Sequence, residues 1–388
     1  MLRQIAVVTV FGLGGIPRRL GSSIVVVVGI MAVVGVLVSV LTMARSLEGA
    51  LLANGRADRA IVLRGGATSE RQSMLPVDAA ATIANAPGIA RTTGGKPAAT
   101  ADLLVPVNLV RRSDHALAAV SVRGLSELAV RPEIEITEGR AFAPGVRELV
   151  VGRAARATFD GLEVGNRVTL RDGEWSIVGV FGSGTSMESD MLTDSSTLTS
   201  AFARSGVNSV TVRLESPDAF DAFKAALTTN PALSVDVLRE PDYYAAEAAD
   251  LATLFFFVTY VVGAIMASGA VFGALNTMYS AVGARTIEIA TLRALGFGAT
   301  GVVISVLAEA LLLALLGALI GAAIAWVMFA GNTISLGGTE GSLITRLTIT
   351  WPTLRAAVLC ACAVGLLGGL LPAIRAARLP VAHALRPD

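Results

Sequence analysis

Four long apolar stretches, 20–44, 251–284, 302–330 and 356–374, punctuate the chain, and a polar block, 45–250, separates the first from the second. Together the four stretches hold one charged residue, Glu309. At about 1.5 Å rise per residue each can cross a hydrocarbon core of about 30 Å. The pattern therefore predicts a membrane α-helical protein with four transmembrane helices. The first stretch reads as a retained anchor and not a signal peptide, because it is longer than an h-region and Leu41-Thr42-Met43-Ala44 makes a poor cleavage site.

Within the polar block, short β-branched runs alternate with turns and amphipathic helical patches. A strand at 58–63 precedes a helix at 76–86, which Pro87-Gly88 closes. The order recurs later: strand 209–214, helix start Ser216-Pro217-Asp218, helix 219–228, strand 233–238. Two β-α-β halves thus flank a β-rich insertion at about 120–198, whose strands are 149–151, 167–170 and 175–181. Arg171-Asp172-Gly173-Glu174 reads as the turn joining the last two, and Gly182-Ser183-Gly184-Thr185-Ser186 as a mobile surface loop. The fold class is four transmembrane helices with an α+β extracytoplasmic domain inserted between the first and second spans. Helical composition continues from the first span through 45–53 to a stop at Asn54-Gly55 and begins again at Asp242, before the second span. Both extensions read as rigid stalks.

Composition agrees: 53% hydrophobic and 16% charged residues with mean hydropathy +0.67 exclude a soluble domain of this length. The net charge of +1 gives no reason to expect nucleic acid. Arginine placement sets the orientation. Arg3, Arg18 and Arg19, then Arg285 and Arg293, then Arg375, Arg378 and Arg386 fall on one side, which is read as cytoplasmic. Segment 1–19 is expected to be a cytoplasmic interfacial helix, 285–301 a cytoplasmic loop, 331–355 an outer loop and 375–388 a cytoplasmic tail. Both termini are then cytoplasmic in a multi-pass protein of a bacterial cytoplasmic (inner) membrane. Cys360 and Cys362 lie in the fourth span, so the outer block has no disulfide. His115 and His383 fall on opposite sides, which removes a zinc site or a Ser-His-Asp triad. Gly94-Gly95-Lys96-Pro97 lacks the spacing and hydroxyl of a P-loop. No catalytic, cofactor or metal site is expected in this chain.

The 285–301 loop places Arg285, Glu288 and Arg293 beside Ile287, Ile289 and Leu292. A short helix there would have an apolar side for a membrane surface or a partner groove and a charged side for polar docking. Glu309 is costly within a span and is therefore a functional candidate. Near the cytoplasmic end it can reach water or Arg293, which favours a structural or coupling role. The pairs Gly269/Gly273, Gly317/Gly321 and Gly365/Gly369 sit one turn apart, as helix-packing positions do.

Several of these segments resemble the membrane subunits of the MacB/FtsX/LolCE group of ABC transporters. The resemblance is carried by Arg285-Thr286-Ile287-Glu288-Ile289-Ala290-Thr291-Leu292-Arg293-Ala294-Leu295-Gly296, by Leu307-Ala308-Glu309-Ala310-Leu311 and by the tail from Pro372 through Arg386. In the outer block it is carried by Glu138-Gly139-Arg140-Ala141-Phe142, Gly161-Leu162-Glu163-Val164-Gly165 and Trp175-Ser176-Ile177-Val178-Gly179-Val180-Phe181. It implies a MacB-like periplasmic core domain and an FtsX-like permease domain. It also implies a coupling helix at 285–296 seated on a separate ABC ATP-binding subunit, which would hold ATP and Mg. A permease dimer, homo- or heteromeric, is expected in the lipid bilayer. In relatives of this kind the outer domain works with a periplasmic adaptor and outer-membrane channel for efflux, extracts lipoproteins as LolCE does, or regulates a cell-wall hydrolase as FtsX does. Mechanotransmission for export is the leading expectation.

Overall fold

The computed structural model describes residues 20–171, 173–295, 298–338 and 341–378. The expected interfacial helix at 1–19 and most of the tail at 375–388 lie outside them. In chain order the helices are α1 (Leu20–Leu52), α2 (Val77–Ala84), α3 (Arg153–Thr158), α4 (Ser195–Ala201), α5 (Phe220–Thr228), α6 (Glu240–Gly283), α7 (Thr286–Ala294), α8 (Ala299–Phe329) and α9 (Trp351–Ala377). The residues fall into two compact units, one of 1–45, 253–332 and 347–388, the other of 46–252 and 333–346. Both α1 and α6 contribute residues to each unit.

The first unit holds the apolar lengths of α1, α6, α8 and α9, all long and apolar enough to cross a membrane. Side chains alone would keep these helices apart, so glycine decides where backbones meet. A Cβ at Gly321 would stand 2.5 Å from the Met31 carbonyl oxygen, and one at Gly317 would stand 2.8 Å from that of Val27, which fixes the approach of α8 to α1. Cβ atoms at Gly365 and Gly369 would stand 2.7 Å from the methyls of Ala314 and Ala310, which fixes α9 against α8. Gly269 and Gly273 differ: added Cβ atoms there would meet nothing within 4 Å among the described residues.

In the second unit the strands are β1 (Arg59–Arg64), β2 (Leu75–Pro76), β3 (Ala99–Val110), β4 (Leu117–Leu125), β5 (Glu135–Gly139), β6 (Glu148–Gly152), β7 (Arg167–Leu170) and β8 (Gly173–Gly182). They continue as β9 (Met191–Asp194), β10 (Gly206–Val207), β11 (Ser209–Arg213), β12 (Val235–Arg239), β13 (Thr333–Gly338) and β14 (Gly341–Arg346). One large sheet runs β12-β1-β11-β3-β4-β9-β6-β8-β5, with β7 on β8. Since β1 is antiparallel to β11 and β12, and β11 to β3, the pairs β1/β3 and β11/β12 are each parallel with one strand between them. The two expected β-α-β halves are therefore interleaved as a split β-α-β layer. Strand alternation then sorts β1. Ala60 and Val62 pack under α2 and α5 with Ile83, Phe223 and Leu227, while Ile61 and Leu63 face Tyr243 and Tyr244 at the start of α6.

Strand β3 continues out of this half into the insertion, where a core of Leu149, Phe159, Trp175 and Ile177 lines one face and Val150, Phe181 and Leu192 the other. Gly139 has φ +75°, and a Cβ there would collide with the Val178 carbonyl at the β5–β8 irregularity, so this position takes glycine.

Three readings of the sequence are corrected here. Gly173 and Glu174 belong to β8, where Gly173 pairs with Leu170 and Glu174 with Thr169, so both are strand residues and not part of the joining turn. Segment 182–186 is not a free loop. Thr185 caps a 3-10 turn, Ser186–Ser189, and the Glu188 carboxylate accepts from the Ser183 and Gly184 N–H groups at 2.8 Å each. Finally, 331–355 is not a plain loop, because it carries the β13–β14 hairpin. There Ile344 enters the Trp175 core, and its N–H and carbonyl bond the Ser189 hydroxyl at 2.8 and 3.0 Å.

Candidate functional site

In the first unit α7 follows α6 after a two-residue turn, with Arg285 at its N-cap position and the Thr286 hydroxyl donating back to the Gly283 carbonyl at 2.7 Å. The helix is too short to persist alone and is held by one face. Ile289 and Ala290 are buried; Ile289 packs with Val282, Val302, Val306 and Ala373. A helix turns about 100° per residue, so Ile287, two positions earlier, points away. The expected common apolar side of Ile287, Ile289 and Leu292 is thus split. Ile289 is buried and Leu292 half-buried, whereas Ile287 is 67% exposed beside exposed Glu288, with Leu295 at 72% extending the same stripe. Arg293 is half-buried.

Arg285 donates through Nη1 to Glu309 Oε2 at 3.1 Å, and both side chains are largely buried, at 14% and 8% exposure. The expected reach of Glu309 to water or Arg293 is therefore refined: its pairing fixes the start of α7 onto α8. The charge of Glu309 is matched within the chain, which is how a carboxylate becomes tolerable at this depth. A cavity of about 40 Å³ beside the pair is lined by Arg285, Glu288, Ile289, Leu292, Ser305 and Glu309, among others. It has room for about one water.

The second unit contains a polar constellation that the sequence reading missed. On the sheet face opposite α2 and α5, Arg59 Nε meets Glu240 Oε2 at 2.6 Å, and its Nη2 donates to the Asn54 carbonyl at 3.1 Å. One guanidinium thereby ties the turn that follows α1 to the first residue of α6. Arg131, fully buried, bridges Glu240 (3.3 Å) and Asp102 (2.9 Å), and Arg123 joins Asp102 (3.4 Å), Glu70 (3.2 Å) and Asp190 (3.2 Å). Burial opposes ionisation of Glu70, yet Arg123, the Ser209 hydroxyl and Arg131 together hold its carboxyl below the usual range. Burial wins at Asp190, whose single contact with Arg123 leaves its pKa raised. The available signal was Arg59 and Arg131 in otherwise apolar surroundings, together with Glu240 at a helix start. Nothing in the linear spacing brings together positions from 54 to 240.

No group of three or more His, Cys, Asp or Glu side chains suited to a metal occurs among the described residues. Comparison with known proteins places these features. A family model described as MacB-like periplasmic core domain matches residues 22–230, and one described as FtsX-like permease C-terminal matches residues 260–381. Among solved structures, the periplasmic region of MacB from Actinobacillus actinomycetemcomitans shares 15% identity at TM-score 0.37, covering 48% of this chain and 90% of that one. The extracellular domain of the noncanonic ABC-type transporter YknZ from Gram-positive bacteria shares 14% identity at TM-score 0.36, covering 46% and 99%. No curated protein sequence matches the chain.

Proposed function

Because the chain belongs to the MacB/FtsX-type family of ABC transporter permeases, non-catalytic membrane subunits that work with an ATP-binding partner, we propose that it transmits ATP-driven motion to its sheet-bearing unit for export. The observation that carries this reading is the length of α1 and α6, at 33 and 44 residues. At about 1.5 Å per residue they run about 50 and 66 Å, well beyond the roughly 30 Å a bilayer core requires. A continuous helix resists bending, and Arg59 binds the turn that follows α1 and the first residue of α6 to one strand. In this reading 46–252 and 333–346 form the extracytoplasmic unit of an inner-membrane protein. A separate subunit holds ATP and Mg, and the exposed Ile287–Glu288–Leu295 stripe docks on it. Two copies of the permease, or this chain and a related one, would meet along the unfilled Gly269/Gly273 face of α6. An adaptor and outer-membrane channel would complete an efflux path.

Two measurements test this reading. The double substitution Ile287→Asp with Glu288→Lys reverses the character of the exposed stripe while leaving buried Ile289 in place, and should reduce co-purification with the ATP-binding subunit at least about tenfold, as loss of a docking hot spot does. Undiminished assembly would remove α7 as the docking element. For orientation, Ser113→Cys and Arg378→Cys are introduced singly in a chain lacking Cys360 and Cys362. An impermeant thiol reagent, applied to cells with a permeabilised outer envelope, should label position 113 and spare 378. The reverse pattern would invert the topology.

A further inference from the structure

The connection between the two halves of the large sheet leaves a cleft of about 270 Å³ within the second unit. Its floor is the β3–β4 register pair Pro106 and Ser121, with Leu104 beside them on the same face of β3. Arg71, on the 3-10 turn 70–72, and Met74 form one wall, and Arg204, on the connection from α4 to β10, forms the other. No acidic side chain lines the cleft among the described residues. Neither Arg71 nor Arg204 makes an ion pair or a guanidinium hydrogen bond among them, although Arg71 lies near enough to Asp190 and Glu247 to favour their ionised forms.

Ser121 provides a separate observation. The residue is 1% exposed and lines the cleft, and its hydroxyl has no hydrogen-bond partner among the described residues. A buried hydroxyl is normally bonded, so one that opens on a cleft is a donor waiting for an acceptor. The neighbouring Asn208 amide cannot serve, because its oxygen accepts from the Leu104 N–H at 2.7 Å and its nitrogen donates to the Glu70 and Ser73 carbonyls at 3.0 Å each. The donors left over are two permanently charged guanidinium forks and one hydroxyl, set around an apolar floor of Leu104 and Pro106 with Met74. Guanidinium forks match carboxylate and phosphate geometry. The volume lies just below the roughly 300–1,000 Å³ of drug-sized sites.

We propose that this cleft binds an organic anion, a carboxylate or phosphate group carried on a short apolar body, with Arg71, Arg204 and Ser121 on the anionic head. The inference does not depend on the transport reading, since binding is measured on this chain without an ATP-binding subunit. The full chain is placed in phosphatidylcholine nanodiscs and titrated calorimetrically with hexyl phosphate, hexanoate, inorganic phosphate and hexan-1-ol. Hexyl phosphate or hexanoate should bind saturably and at least about tenfold tighter than inorganic phosphate, the weight of burying the apolar body, since the anionic contacts are common to all three. Hexan-1-ol should show no saturable binding.

Arg71→Ala and Arg204→Ala are both exposed positions with no bonds to lose, so the variants should keep the wild-type melting temperature. Each should weaken the organic anion about tenfold. Arg91→Ala, an exposed arginine away from the cleft, should leave binding unchanged. A second set of discs containing phosphatidylglycerol separates the sources: weaker apparent affinity for hexyl phosphate there assigns the anion to a lipid headgroup, and unchanged affinity to a soluble ligand. Binding equal in the wild type and the Arg71→Ala/Arg204→Ala double variant, or no saturable binding of either organic anion, overturns the proposal.

Discussion

Arg123→Met will lower the unfolding free energy of the chain by about 3–5 kcal/mol at neutral pH, the cost of leaving buried charge without its partner. The guanidinium touches Glu70, Asp102 and Asp190, so its loss leaves Glu70 and Asp190, on the buried face of the sheet, without an ion-pair partner among the described residues, while Asp102 keeps Arg131 at 2.9 Å. The pH dependence fixes the cause. In the wild type the Glu70 carboxyl is held below its ordinary range, so its contribution is present above the unfolded value and is lost as pH falls through the folded one. Without Arg123, burial is left to raise the same group, and the variant gains relative stability on acidification. The difference between the two proteins should therefore be largest above the ordinary carboxylate range and narrow below it. Unfolding in detergent, followed by Trp175 fluorescence with Trp326→Phe and Trp351→Phe in both proteins, measures it. A difference that stays constant across that range would assign the loss to packing and not to charge.

Softening α1 just inside the point where it enters the sheet-bearing unit should uncouple ATP turnover from movement of that unit. Leu47 is buried, so changing it would confound helix stiffness with lost packing. Glu48 and Ala50 are half-buried and flank Gly49, and Glu48→Gly with Ala50→Gly creates three successive glycines. Each replacement lowers helix stability by about 1 kcal/mol relative to a good helix former. With the ATP-binding subunit assembled, ATPase activity should stay within about twofold, because α7 and the Arg285–Glu309 pair are untouched. A fluorophore on Ser113→Cys should respond to ATP when α1 is unaltered and should not respond in the softened variant. A retained response at normal expression would show that α1 is not the transmitting element.

Much of the plan was legible in one dimension because its causes are local. Four apolar lengths, the stop at Asn54-Gly55, the helix start at Asp242, the strand-helix pattern at 58–86 and the strand-helix-strand pattern at 209–238 depend on periodicity and capping, and those act over a few residues. The glycine spacing marked α8 and α9 as packing helices, though only the packed structure separates Gly317, Gly321, Gly365 and Gly369, which meet a neighbour, from Gly269 and Gly273, which do not. Interleaving of the two halves, the entry of the 333–346 hairpin into the Trp175 core and the choice of Arg285 as the partner of Glu309 were decided by tertiary structure. So was the binding of Asn54, Arg59, Asp102, Arg131 and Glu240 into one buried network. Burial and charge pairing depend on which residues meet across the fold, and sequence spacing carries no record of distance once the chain has returned on itself.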